Sequence, residues 1–177
     1  PLDQLGLSDR LAQAELTAED MDWIGSLPTR IELAHGVVAV HGSPRSDMEY
    51  LLETVTPSGA RPATTDEVVE RLGDDREAAL LLCGHTHIQR LIQVPGGPLI
   101  VNPGSVGWPA YADDLPYPHV MESGSPQARY AVVEWDRHGW RAKLRAVDYD
   151  WQSAATIAES NGRPDVAYSL RTGRAPH

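Results

Sequence analysis

The strongest constraint on this chain is a short apolar run, Ala78-Ala79-Leu80-Leu81-Leu82-Cys83, that stops abruptly at Gly84-His85-Thr86-His87. Six continuous apolar residues are too few for an ordinary helix, and they do not alternate as a half-exposed strand would. The run predicts a central strand buried on both faces. Such a strand needs neighbours on each side and a layer of structure above and below it. The chain of 177 residues is 41% apolar, enough to supply one core of that kind. We expect an α/β layered sandwich of mixed β-sheets flanked by helices, with residues 1–177 forming a single domain.

The flanking sequence predicts these layers. Residues 8–27 read as helical. Ser8 caps a first helix, and Thr17 with Asp20 caps a second whose apolar side is Met21, Trp23, Ile24 and Leu27. Residues 30–34 and 37–41 read as two strands joined at His35-Gly36. A short helix is expected over 47–54 and a loop over 56–65. Thr65 is expected to cap a helix over 66–72 that Gly73 ends. Two strands surround Pro95-Gly96-Gly97-Pro98. Residues 102–127, rich in Gly, Pro, Ser and Asp, read as one long loop. Alternation along 130–135 and 140–147 predicts a hairpin with Asp136-Arg137-His138-Gly139 at its tip. Two helices separated by Asn161-Gly162-Arg163-Pro164 close the chain.

Bulk properties exclude several functions. The formal net charge is −10, which argues against a nucleic-acid duplex or an anionic membrane as partner. No run approaches the ~20 apolar residues of a membrane span. One cysteine, Cys83, leaves no internal disulfide and fits a reducing, cytoplasmic setting. A homo-oligomer remains open.

His85 and His87 are the first candidates for chemistry. Two imidazoles two residues apart on an extended segment share a face, while Gly84 leaves the backbone free to aim them separately. They could serve one metal ion or one each of a pair; equally, one could be packed and the other solvated. His41 adds a second strand with the same grammar, Val37-Val38-Ala39-Val40-His41-Gly42. Open α/β sheets place ligand sites beyond the carboxyl ends of their strands. Neutral imidazoles suit Mn, Fe, Zn or Ni better than Ca or Mg. A third strand end, Val101-Asn102-Pro103-Gly104-Ser105-Val106-Gly107, could meet an anion through backbone N–H groups, or be an ordinary turn. Of the remaining candidates, Trp108 and Tyr111 could wall a pocket or anchor the loop, Arg45 could reach a phosphate, His119 and His138 read as solvent-facing, as does Asp113-Asp114, and His35 reads as a turn residue.

The order His-Gly-Ser-Pro, Gly-His-Thr-His, Asn-Pro-Gly-Ser-Val-Gly resembles the calcineurin-like metallophosphoesterases, and within them the small bacterial phosphodiesterases. The resemblance extends through residues 128–136 and 147–174. It implies a metal-dependent phosphoester hydrolase using two divalent transition-metal ions, Mn or Fe, with Zn or Ni possible. It implies that His41 and His85 bind one ion and His87 the other. It gives Ser43 and Asn102 substrate-binding or positioning roles and makes the substrate a small phosphorylated molecule. Three amino-terminal motifs of that family, Asp-x-His, Gly-Asp-x-x-Asp and Gly-Asn-His-Asp/Glu, do not stand ahead of His41. The expected further partner is therefore the protein's own N-terminal half, on the same or a separate chain. The alternatives are an inactive scaffold on the same fold and a one-metal His₃ protein.

Overall fold

The computed structural model describes residues 6–176. Two helices, α1 (Leu7–Glu15) and α2 (Ala18–Ser26), lead into β1 (Arg30–Leu33) and β2 (Val37–Val40). A hairpin of β3 (Glu53–Thr56) and β4 (Gly59–Pro62) precedes α3 (Thr65–Leu72), and β5 (Leu80–Leu82) follows. Then come β6 (Gln89–Gln93) and β7 (Leu99–Pro103), a hairpin of β8 (Ala110–Asp113) and β9 (His119–Glu122), and a longer one of β10 (Ala128–Asp136) and β11 (Gly139–Val147). Helices α4 (Trp151–Ser160) and α5 (Pro164–Thr172) end the described chain.

The principal sheet has the order β1-β2-β5-β7-β6, so the apolar run sits at its centre. β2, β5 and β7 are parallel, and β1 and β6 are antiparallel edges. Register explains the two cores, because successive strand residues face opposite sides. The row Val38, Leu81, Ile100 packs against Leu51, Leu52, Val68 and Leu72. The row Val37, Leu80, Leu99 faces Ala131, Val133, Trp140, Ala142 and Leu144 of the β10–β11 hairpin. This is a layered α/β fold with mixed strands, as the sequence implies.

Local expectations fare unevenly. α1 is capped at Gly6, with Ser8 inside the helix, whereas Thr17 and Asp20 form the expected reciprocal box. α3 is capped one residue early, by Thr64, with Glu67 completing the box. The helix expected over 47–54 is absent. There the carbonyls of Tyr50, Leu51 and Glu53 accept hydrogen bonds from the Arg71 guanidinium. A long-range donor does what intrahelical N–H groups would do. The expected loop over 56–65 holds the turn and the second strand of the β3–β4 hairpin, with Gly59 at φ 106°. The long loop over 102–127 contains the β8–β9 hairpin. The apolar side of α2 has no cover among the described residues: Met21, Trp23, Ile24 and Leu27 are all exposed. No helix among the described residues is long and apolar enough to cross a membrane.

Candidate metal centre

The parallel register of β2 and β5 brings two of the imidazoles together. His41 follows β2 and the Gly84-His85-Thr86-His87 turn follows β5, so both leave the sheet at the carboxyl ends of adjacent strands. The Gly84 N–H donates to the His41 carbonyl at 2.8 Å and ties the strand ends together. The His41 and His85 rings lie 5.0 Å apart between centroids.

The turn itself is unusual. His85 and His87 both adopt left-handed backbone, at φ 67° and 61°. For residues with a Cβ this costs roughly 1–3 kcal/mol each. The surrounding structure holds the turn from several sides. Asn102 Nδ2 donates to the Gly84 carbonyl at 2.8 Å and to Thr86 Oγ1 at 3.0 Å, and Asn102 Oδ1 accepts from the Gly104 N–H at 3.0 Å. Tyr111 donates its hydroxyl to the His85 carbonyl at 3.2 Å. With both histidines left-handed and Thr86 buried between them, the rings diverge. His85 packs on His41 and Tyr50, while His87 meets Tyr111 at 5.1 Å and Trp108 at 6.2 Å.

Both rings favour the neutral form. Burial, reinforced by His41, lowers the His85 pKa below the ordinary imidazole value. Burial likewise lowers that of His87, against a hydrogen bond to the Trp108 backbone. Neutral imidazole is the metal-binding form. His87 Nδ1 is buried with no hydrogen-bond partner, and a metal ion is one way to satisfy such an atom. These residues fit a transition metal as nitrogen donors. Among the described residues, however, no group of three or more His, Cys, Asp or Glu converges to hold an ion by itself. His41 and His85 come together ring to ring, while the ring contacts of His87 are with Tyr111 and Trp108.

Ser43 and Asn102 are buried, at 2% and 1% exposure, and their hydrogen bonds go to protein. Ser43 donates to Glu49 and accepts from the N–H groups of Arg45 and Ser46, ordering the turn after His41. Gly42 is needed there, since a Cβ would stand 2.6 Å from the Asp47 and Ser46 carbonyl oxygens. Gly84 is less demanding, with 3.5 Å to its nearest contact. Arg45 is paired with Glu49 and Glu70. His138 is exposed, as expected, and His35 sits, as expected, in the turn between β1 and β2.

His119 departs from expectation. It is buried, with Nδ1 at 2.8 Å from the Tyr117 carbonyl and Nε2 at 3.1 Å from the Tyr50 hydroxyl. Tyr50 in turn meets Tyr111 at 2.9 Å. The chain His119–Tyr50–Tyr111 thus ends on the His85 carbonyl. Its members stood apart in the sequence, Tyr111 and His119 in a segment read as a loop and Tyr50 in one read as a helix.

The sequence profile described as the Calcineurin-like phosphoesterase superfamily domain matches residues 10–133, a span that includes His41, His85, His87 and Asn102. No curated protein matches the chain. Among solved structures, the fold is similar to a metallophosphoesterase from Sphaerobacter thermophilus, with TM-score 0.65 and 20% identity. That match covers 98% of this chain and 70% of the other. It is also similar to a hypothetical protein from Pyrococcus horikoshii OT3, with TM-score 0.69 and 17% identity. There the match covers 99% of this chain, which spans 65% of the other. With the profile matched over more than half its length and a metallophosphoesterase-like fold throughout, the chain belongs to the calcineurin-like phosphoesterase superfamily.

Proposed function

We propose that this chain supplies the imidazole part of a metal-dependent phosphoester hydrolase of the small bacterial phosphodiesterase kind. The observation that carries this reading is the pairing of His41 and His85 at 5.0 Å, delivered by adjacent parallel strands. In this reading His41 and His85 donate nitrogen to one divalent transition metal, Mn or Fe in first place, and His87 donates to a second. Such ions supply a hydroxide at neutral pH and neutralise phosphoryl oxygens. Asn102 and Tyr111 hold the turn that aims His85 and His87. Ser43 holds the turn behind His41. Carboxylate ligands would come from a segment that these residues do not include, a reading supported by the 65–70% of the solved relatives that this chain spans.

The test is hydrolysis of bis(p-nitrophenyl) phosphate by the full-length protein, together with its metal content. Two ions per protein and turnover reduced by orders of magnitude in His41→Ala and His87→Ala are expected. Near-wild-type rates in either variant would overturn the proposal. The alternative of a one-metal His₃ protein would need His87 to converge with His41 and His85, which no three such residues do among the described residues; metal analysis giving a single ion would mark it.

A further inference from the structure

Four contacts run in line from His119 to the turn that carries His85. His119 Nδ1 lies 2.8 Å from the Tyr117 carbonyl, and Nε2 lies 3.1 Å from the Tyr50 hydroxyl. The Tyr50 and Tyr111 hydroxyls are 2.9 Å apart, and the Tyr111 hydroxyl is 3.2 Å from the His85 carbonyl.

Each contact needs one proton, so the line needs four. A carbonyl oxygen only accepts. The Tyr117 contact therefore takes a proton from Nδ1, and the His85 contact takes the one on Tyr111. Burial pushes both phenols above their ordinary value, so each keeps its single proton at neutral pH. With the Tyr111 proton on His85, the contact between the hydroxyls needs the Tyr50 proton. The last contact, between Tyr50 and Nε2, must then take its proton from the ring. A neutral imidazole has one N–H and an imidazolium has two. Neutral His119 and the two phenols supply three protons; the imidazolium and the two phenols supply four. With only Nδ1 protonated, Tyr50 donates to Nε2, and the one Tyr111 proton is shared between Tyr50 and the His85 carbonyl. With only Nε2 protonated, a bare Nδ1 faces the Tyr117 oxygen, lone pair against lone pair.

The surroundings of His119 supply ionisable groups of both signs. Asp113 stands directly opposite it in the β8–β9 register, so the two side chains leave the same face of the hairpin. Tyr50 lies ahead of β3, and Glu53, paired with Arg90, begins it. β4, packed on β9, brings Arg61, which is paired with Glu67. α3 brings Arg71, which donates to the Tyr50 carbonyl. On the other face of β9, Glu122 meets Arg174. Asp113 is the carboxylate placed to accompany a charged ring.

We infer that His119 is a positioning residue acting on the turn through Tyr50 and Tyr111: its imidazolium turns both hydroxyls toward His85 and fixes the Tyr111 proton on the His85 carbonyl, and its neutral form leaves that proton shared. Nε2 takes one proton from solvent, the two hydroxyls rotate, and no other bond is made or broken. His85 has left-handed backbone at φ 67°, and a full bond to its carbonyl helps hold that strained conformation. The inference rests on the phosphoesterase reading only for what the turn is used for.

The test is an NMR titration of the full-length protein without added metal, from about pH 5 to about pH 9. The His119 ring C–H signal reports its charge. The Thr86 amide nitrogen shares a peptide group with the His85 carbonyl and reports the bond to it. In wild type the Thr86 nitrogen is expected to show a step with the His119 midpoint. In Tyr111→Phe, which keeps the ring and removes the proton, that step is lost while His119 still titrates. Should Tyr111→Phe not fold, Tyr50→Phe breaks the line one link earlier and gives the same loss. No shared step in wild type, a step that survives in the variants, or a His119 that keeps one charge state over the whole range would overturn the inference. A packing role alone for His119 would produce no shared step. The two readings fail separately. A protein with the shared step that hydrolyses no diester keeps the relay and loses the hydrolase. A protein that hydrolyses bis(p-nitrophenyl) phosphate without the step does the reverse.

Discussion

Asn102 Nδ2 lies 2.8 Å from the Gly84 carbonyl and 3.0 Å from the Thr86 hydroxyl, so one side chain on β7 fastens the turn that carries His85 and His87. The same residue accepts from the Gly104 N–H. Asn102→Ala removes all three bonds inside a buried site. Leaving buried polar groups unsatisfied costs about 1–3 kcal/mol each, partly relieved where a second partner remains. We expect a loss of about 2–4 kcal/mol in urea unfolding, and weaker binding of the proposed divalent metal because the strained turn is no longer held. Asn102→Ala with wild-type stability would show that the brace is not what holds the turn.

Much of this arrangement was legible in the sequence, and the reasons differ from part to part. The run ending at Leu80–Leu82 declared a central strand because its neighbours bury both faces, and Leu99–Pro103 was legible as a strand beside the Pro95–Pro98 turn. The alternation on β10 and β11 held because one face packs on the principal sheet. The β3–β4 and β8–β9 hairpins were hidden because each strand is only four residues long and is set among Gly, Pro and Ser. The missed structure over 47–54 depends on Arg71, a donor 18–21 residues away. Site residues follow the same division. His41, His85 and His87 stood at strand ends and could be read locally. Tyr50 and His119 are joined across 69 residues, and no local pattern reports such a contact.

Arg71 is the basis of the second prediction. Its guanidinium satisfies three carbonyls between Tyr50 and Glu53 that no helix or ladder satisfies. Arg71→Met keeps much of the packing and removes every donor. We expect a destabilisation of about 2–4 kcal/mol and faster proteolysis within residues 48–54. Equal cleavage rates in variant and wild type would sink this account.

Gly42 and Gly84 make a matched pair for the third prediction. At Gly42 an added Cβ would overlap the carbonyl oxygens of Asp47, Ser46 and Glu49 at 2.6–2.7 Å. Those are backbone atoms and cannot swing aside. Gly42→Ala should cost about 3 kcal/mol or more and disturb His41 with it. At Gly84 the nearest neighbour is 3.5 Å away and φ is not in the left-handed region. Gly84→Ala should therefore stay within about 1 kcal/mol of wild type. Thermal unfolding of the two variants checks the contrast, and a reversed order would refute it.

Glu49 supplies a pH dependence. Burial raises its pKa, but hydrogen bonds from Arg45 and Ser43 outweigh burial and hold the carboxyl below its ordinary value of 4.5. The folded state therefore keeps Glu49 ionised at pH values where the unfolded chain has taken up a proton. Such a group contributes stability that is fully present above about pH 4.5 and is lost as pH falls through the depressed folded value. Other carboxylates with lowered values, Asp165 beside Arg163 among them, add to the same acid slope. The difference between wild type and Glu49→Gln isolates this residue's share. Urea midpoints measured at pH 7 and below pH 4.5 should show the variant less stable at neutral pH and less sensitive to acid. Parallel slopes in the two proteins would mean that the Arg45–Glu49–Ser43 contacts do not hold the turn behind His41 in solution.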